Sequence, residues 1–265
     1  MTGSSFAMLP RAARKSESES FGYLNLTCLI HTRSDITSGT FMSESNLPEW
    51  EQLLSAAAHL QEILPEATLV GGTAVAIFAQ HRLSRDADHV LPDLRNTFEE
   101  VLAELEAVAG WRTARVKRPV LILGSLDGIE TGVRQMIREQ PLETQEVEIS
   151  GVRLVVPTEE ELLRIKGVLI LKRNATRDYL DFAALSERVG LARVKEALSS
   201  LDQLYPQTSG ESALQQLQVQ LANPMPYDLE NTDLREYRRL HPKWHDWNRV
   251  QEICATVATE IFKGL

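Results

Sequence analysis

Cysteine is nearly missing from this chain of 265 residues. Cys28 and Cys254 stand at opposite ends and fit no metal or redox spacing. No disulfide framework and no disulfide partner are expected, which favours a reducing, cytoplasmic setting. Cys254 reads as a small buried apolar residue in a late helix. Long apolar runs are missing too: stretches such as Gly167 to Leu171 fall far short of the roughly 20 residues that span a bilayer, so no membrane association is expected. An excess of positive charge is also lacking. With 28 Lys and Arg against 37 Asp and Glu, the net charge is −9. That argues against tight non-specific binding to nucleic acid, whose phosphates reward a basic surface. It leaves room for a local basic site, and for a charged substrate held through metal ions. The chain has no Walker A, G-x-S-x-G or Cys/His catalytic pattern, and no internal repeat. His241 and His245 are spaced i,i+4 but have no upstream pair to complete a zinc site.

What remains is an ordinary globular composition, 43% hydrophobic, able to supply a sizeable core. Residues 1–44 carry scattered Ser, Thr and Gly, an RAARKSESES cluster and no sustained periodicity, and read as a disordered extension. Order is expected from residue 45. Ser45 or Asn46 caps a helix with Pro48 in its first turn and an apolar stripe of Trp50, Leu53, Leu54, Ala57 and Leu60. A short strand over 68–70 leads into Gly71-Gly72, then a helix over 73–81, a strand over 86–91 and a helix over 94–108 stopped near Gly110. Strands follow over 112–118, 120–125, 129–137, 147–149 and 152–156, with hairpin turns at Asp127-Gly128 and Ser150-Gly151. From Pro157 the pattern is helical. Thr158 and Glu161 form a capping box for a helix over 159–172, and further helices are expected over 177–189, 191–204, 211–222 and 244–262. The reading is a mixed α/β domain over 45–156 and a helical domain over 157–265 that completes its site.

The densest chemical signal lies between Leu69 and Val90, LVGGTAVAIFAQHRLSRDADHV. Gly71 and Gly72, between strand and helix, let the backbone approach a ligand closely and aim amide donors at phosphate. A Gly-Gly turn taken alone is more often steric. Asp86 and Asp88 alternate along a strand, so both carboxylates share one face about 7 Å apart while Ala87 points the other way. Two like charges on one face call for a cation or solvent between them. Alone they read as a solvated strand end; with the glycines upstream they read as metal ligands beside a phosphate cradle. Thr73, Arg82, Ser84, Arg85 and Arg177 are the further candidates for nucleotide contact. His81 and His89 lie close by and read as packing or solvent-contact residues.

A second signal lies in RIKGVLILKRNATRDYLDFAAL. The helical neighbours of Lys166 at three and four residues are Leu162, Leu163, Leu169 and Ile170, so its ammonium must snorkel or meet an anion. Asp178 and Asp181 share a helical face with Phe182 and Leu185. Arg177 and Asp181, at i,i+4, suit a surface pair. Lys172, Arg173 and Arg177 nearby supply cations for phosphates, with acids to orient them.

Together these two stretches resemble the nucleotidyltransferase-like proteins grouped as AbiEii/AbiGii toxins, within the DNA polymerase β-type nucleotidyltransferase superfamily. The likeness covers roughly residues 46–190, with both motifs in order. It implies an α/β (α+β) fold: a nucleotidyltransferase-like mixed sheet with flanking helices, followed by a helical C-terminal half. It implies that Gly71 and Gly72 hold the triphosphate of an NTP and that Asp86 and Asp88 bind Mg2+ or Mn2+. It also implies that Lys166 and Asp178 are the basic and acidic catalytic residues near the nucleotide. Such transferases offer a third carboxylate on a later strand. Here the matching strand ends G-V-R-Q-M, so Arg134 or Gln135 stands where the acid is expected, with Glu130 and Glu148 as neighbouring alternatives.

The expected function is therefore magnesium-dependent transfer of NMP from an NTP to an acceptor hydroxyl on tRNA, protein or a small molecule. The resemblance further implies a toxin with a cognate antitoxin. If the third acid is missing, a catalytically impaired nucleotide-binding or regulatory protein is the alternative. A structural interaction module built on W-H-D-W and the last helix is a third.

Overall fold

The computed structural model describes residues 50–263; the expected extension over 1–44 and the cap at Ser45 or Asn46 with Pro48 lie outside them. Helix α1, Trp50–Ile63, buries Leu53, Leu54, Ala56, Ala57 and Leu60. It ends before Pro65, which cannot continue it. Strand β1, Thr68–Leu69, leads straight into α2, Gly71–Ala79. Strand β2, Ala87–Leu91, follows, so Asp86 lies just before the strand rather than within it. After α3, Leu94–Glu106, come β3, Trp111–Lys117, β4, Leu121–Leu126, and β5, Ile129–Gln135.

These five strands form one mixed sheet in the order β1-β2-β5-β4-β3. Only β2 and β5 run parallel, with Asp88 beside Gly132 and Val90 beside Arg134. Alternation sorts the residues by face. Ala87, His89 and Leu91 of β2, with Thr131 and Val133 of β5, are buried, whereas Asp88, Val90 and Arg134 are only half-buried. Against one face, Leu94, Phe98, Val101, Leu102 and Leu105 of α3 join Leu60 of α1 and Trp111, Ile122, Leu126 and Val133 of the strands in one apolar cluster. Both expected hairpin turns form at positive φ: Asp127 with Gly128, and Ser150 with Gly151. The second joins β6, Thr144–Ile149, to β7, Val152–Pro157, as a separate two-stranded sheet.

The helical half begins directly after β7. Thr158 caps α4, Glu159–Arg173, by accepting a hydrogen bond from the Glu161 backbone N–H. The helices α5, Thr176–Val189, and α6, Leu191–Leu198, follow. The helix expected over 191–204 breaks near Ser199-Ser200, and a single turn, α7, Leu201–Leu204, carries on from there. The last two helices are α8, Ala213–Ala222, and α9, Trp247–Phe262. A second apolar cluster runs from Leu54 and Val75 of α1 and α2 through Leu163, Phe182, Leu217 and Cys254, so the two halves share one core. Among the described residues no helix is long and apolar enough to cross a membrane.

Candidate functional site

The Gly-Gly turn and the acid pair meet where β1, α2 and β2 converge. The Val70 N–H donates to the Asp88 carbonyl, closing β1 onto β2. Gly71 opens α2 at φ +75°, a left-handed conformation that side chains disfavour. A Cβ added there would sit 3.4 Å from Asp88 Oδ2, so the bare backbone lies against that carboxylate. Gly72 is needed for a different reason. A Cβ at that position would stand 2.6 Å from Arg82 Nη2 and 3.0 Å from Ser84 Oγ, blocking the passage of the Arg82 side chain beneath the helix start.

Asp86 is held by Ser84, whose Oγ donates to Oδ1 at 2.8 Å. Burial pushes the Asp86 carboxyl above the ordinary carboxylate value, and the charge of Asp88 pushes it further; the Ser84 hydroxyl acts in the opposite sense. At Asp88 burial acts the same way, but Arg134, then Arg177 and Arg173, outweigh it and hold the carboxyl below its ordinary value. Arg134 reaches Asp88 Oδ1 with Nη2 at 3.0 Å and Nε at 3.4 Å. Arg177 lies near enough to influence both acids electrostatically, yet its buried Nε has no hydrogen-bond partner. Among the described residues Arg85 makes no hydrogen bond or ion pair. The hydroxyl of Thr73 is already engaged, donating to the Asp86 carbonyl at 2.6 Å.

Beneath this open pair lies a sealed one. Asp181 is fully buried, accepts from His81 Nε2 at 2.7 Å, Arg82 Nε at 2.8 Å and Arg82 Nη2 at 2.9 Å, and forms an ion pair with Lys166 Nζ at 2.7 Å. Burial opposes its ionisation, but Arg82, Lys166 and His81 hold it well below the ordinary value. The surface pair with Arg177 that i,i+4 spacing suggests is not formed: Asp181 turns inward, and Arg177 is left on the side of Asp86 and Asp88. His81 is not a simple packing residue either, since it is part of this cluster. Burial lowers its pKa despite the favourable Asp181 charge. His89 is buried on the covered face of the sheet, its pKa lowered to about 4 by loss of solvent.

Asp178 pairs with Lys166 at 3.4 Å and with Arg173. Lys166 and Asp178 are therefore interior residues, 1% and 0% exposed, paired with each other rather than lining the open face. Arg173 carries the connection outward, because it also feels the charge of Asp88. Arg82 lies in the same interior, its guanidinium spent on Asp181 and stacked 5.6 Å over the Tyr237 ring.

Neither neighbouring glutamate completes a third acid. Glu130 is exposed at the start of β5, and Glu148 is exposed on the separate β6–β7 sheet. Among the described residues no group of three or more His, Cys, Asp or Glu side chains is placed to hold a metal ion. Of the two residues that the sequence leaves open at this place, Arg134 is the one turned toward Asp88; Gln135 instead accepts from the Arg95 N–H and donates to the Pro92 carbonyl. The central role of Asp181 is missed by sequence reasoning, whose only clue to it is a carboxylate at the head of an apolar helix face.

No family model matches the chain. In sequence it is 34% identical over 130 residues to the mycolic acid-containing lipids exporter MmpL11 of Mycolicibacterium smegmatis. It is 35% identical over 129 residues to the heme uptake protein MmpL11 of Mycobacterium tuberculosis. Each match takes in 48% of this chain but only 13% of the relative's length. In structure it resembles a crystal structure from H. pylori of a protein assigned as a nucleotidyltransferase. That likeness has a TM-score of 0.50 at 17% identity and covers 84% of this chain and 97% of the other. The fold is thus the nucleotidyltransferase-like mixed sheet with flanking helices and a helical C-terminal half.

Proposed function

We propose that this protein is a metal-dependent nucleotidyltransferase that moves NMP from an NTP to an acceptor hydroxyl. The observation that carries the reading is the packing of the Gly71 backbone against Asp88, with Asp86 beside it and the Arg177 Nε buried and unpartnered nearby. Two carboxylates suit Mg2+, which commonly takes one or two of them together with water and substrate phosphates. The repulsion that raises Asp86 is what a divalent cation would offset. Asp86 and Asp88 would hold that ion, and bound there it would neutralise the triphosphate and polarise the α-phosphorus. The amides of Gly71 and Gly72, with Arg85 and Arg177, would hold the phosphates. Lys166 and Asp178 serve from the interior, fixing Arg173 beside the acid pair. The acceptor oxygen then bonds to the α-phosphorus, pyrophosphate leaves, and the hydroxyl proton passes to solvent. The acceptor would be tRNA, a protein or a small molecule, and the resemblance to AbiEii/AbiGii proteins implies a toxin held in check by an antitoxin.

The test is incubation of the full chain with each of the four NTPs, labelled at the α-phosphate, in the presence of Mg2+ and either total RNA or total protein. Label retained on one acceptor class, and lost with Asp88→Asn, is the expected result. Metal-dependent NTP binding with no transfer to any acceptor would favour the second reading, a nucleotide-binding protein on this fold. The cation of Arg134 where an acid is expected is the observation that supports that reading.

A further inference from the structure

The strand beside the acid pair supplies a cation, and its geometry is specific. Gly132, the register partner of Asp88 on β5, offers no side chain. None fits there, because an added Cβ would lie 2.5 Å from the Ile122 carbonyl oxygen. Arg134, two residues further along the same face, bends back across that bare position to reach Asp88. Both of its contacts fall on Oδ1, which leaves Oδ2 facing Gly71. The Asp88 and Arg134 side chains are 26% and 25% exposed, and among the described residues Asp88 is the hydrogen-bond and ion-pair partner of Arg134. The pair is thus wet at its rim and free to exchange, unlike the dry pairs of Asp181.

We propose that Arg134 is a displaceable counter-ion that keeps Asp86 and Asp88 from retaining a divalent cation on their own, so that metal is taken up together with the triphosphate. The inference rests on the nucleotidyltransferase reading above. A bare cation at Asp88 would stand beside a guanidinium that has lost its carboxylate, and the two positive charges repel. A metal–triphosphate complex brings its own negative charge and gives the freed guanidinium a new partner. Metal and nucleotide are then coupled, and the coupling acts equally in both directions.

The experiment measures free Mn2+ by electron paramagnetic resonance during titration of the full chain, with and without a non-hydrolysable α,β-methylene NTP. Wild type should bind Mn2+ weakly alone and more tightly with the analogue. Arg134→Gln should bind Mn2+ alone about tenfold more tightly than wild type, within the usual range of coupling between two sites. Arg134→Lys, which keeps the charge, should stay close to wild type. Should Arg134→Gln fail to fold, Arg134→Met removes the charge while keeping much of the volume. Equal Mn2+ affinity of wild type and the uncharged variant without nucleotide overturns the counter-ion role while leaving the transferase reading standing. If neither protein binds Mn2+ or the analogue of any of the four NTPs, the transferase reading fails and this inference falls with it.

Discussion

Two aspartate pairs, Asp86 with Asp88 and Asp178 with Asp181, are built from the same chemistry and put to different uses. Each lies among arginines, and each has both carboxylates close to the same cations. The helical pair is 0% exposed, and its nitrogen partners come from α4 and from the loop after α2. The strand pair is partly wet and is touched by one guanidinium, on one oxygen of Asp88. Composition does not distinguish a frame from a site here. Solvent access and partner number do, because a buried ion pair is costly to break whereas an exposed one contributes little.

The largest effect is expected at Asp181. Asp181→Asn leaves Lys166 and Arg82 as charges in a dry interior and should destabilise the fold by about 3–5 kcal/mol. Urea denaturation followed by circular dichroism measures it. A loss below about 1 kcal/mol, the value of an exposed pair, would mean that the sealed cluster is no frame at all. Asp88→Asn should do the reverse. Metal-dependent nucleotide binding should fall by more than about a hundredfold, beyond what losing a ligand's outer partner costs, while the melting curve barely moves. Comparable losses of stability in both variants would mean that the two pairs do not differ in role.

The smallest effect is expected within the open pair. Because Asp86 has a raised pKa, it takes up a proton at a higher pH than an ordinary aspartate. Metal-dependent binding should therefore be complete well above that pH and be lost as pH falls through it. Ser84→Ala removes the hydrogen bond that favours the charged form, so the acid limb of the binding profile should move to higher pH. A limb that stays in place or moves to lower pH would show that another group sets it.

Much of this arrangement is legible in the sequence. The two hairpin turns, the Thr158 cap and the order of helices and strands follow from local chemistry that a short window contains. So does the convergence of Gly71 with Asp88, since a two-residue strand and a nine-residue helix leave the chain little freedom between them. The partners of Asp181 were not legible. His81 and Arg82 lie 100 and 99 residues away, and nothing local to either end indicates the other. Asp178 reads in sequence as a helix-start acid, stabilised by free N–H groups and the helix dipole. Its burial, which makes it the anchor of Lys166 and Arg173, is a product of tertiary packing. The purpose of Gly72 was also hidden, because the atom it makes room for belongs to Arg82 on its way to Asp181.

That long separation has a consequence for how the protein is made. A ribosome adds roughly 5–20 residues per second, so Arg82 is synthesised some 5–20 s before the aspartate it will pair with. During that interval the acid pair and the remaining strands of the sheet are made, but the guanidinium beneath them has no anion and must stay in water. The nascent chain can thus assemble its strands early, yet it cannot close the floor of the site until α5 has emerged. The acid pair gains its dry support only in the second half of translation, when the helices that follow the sheet have been delivered.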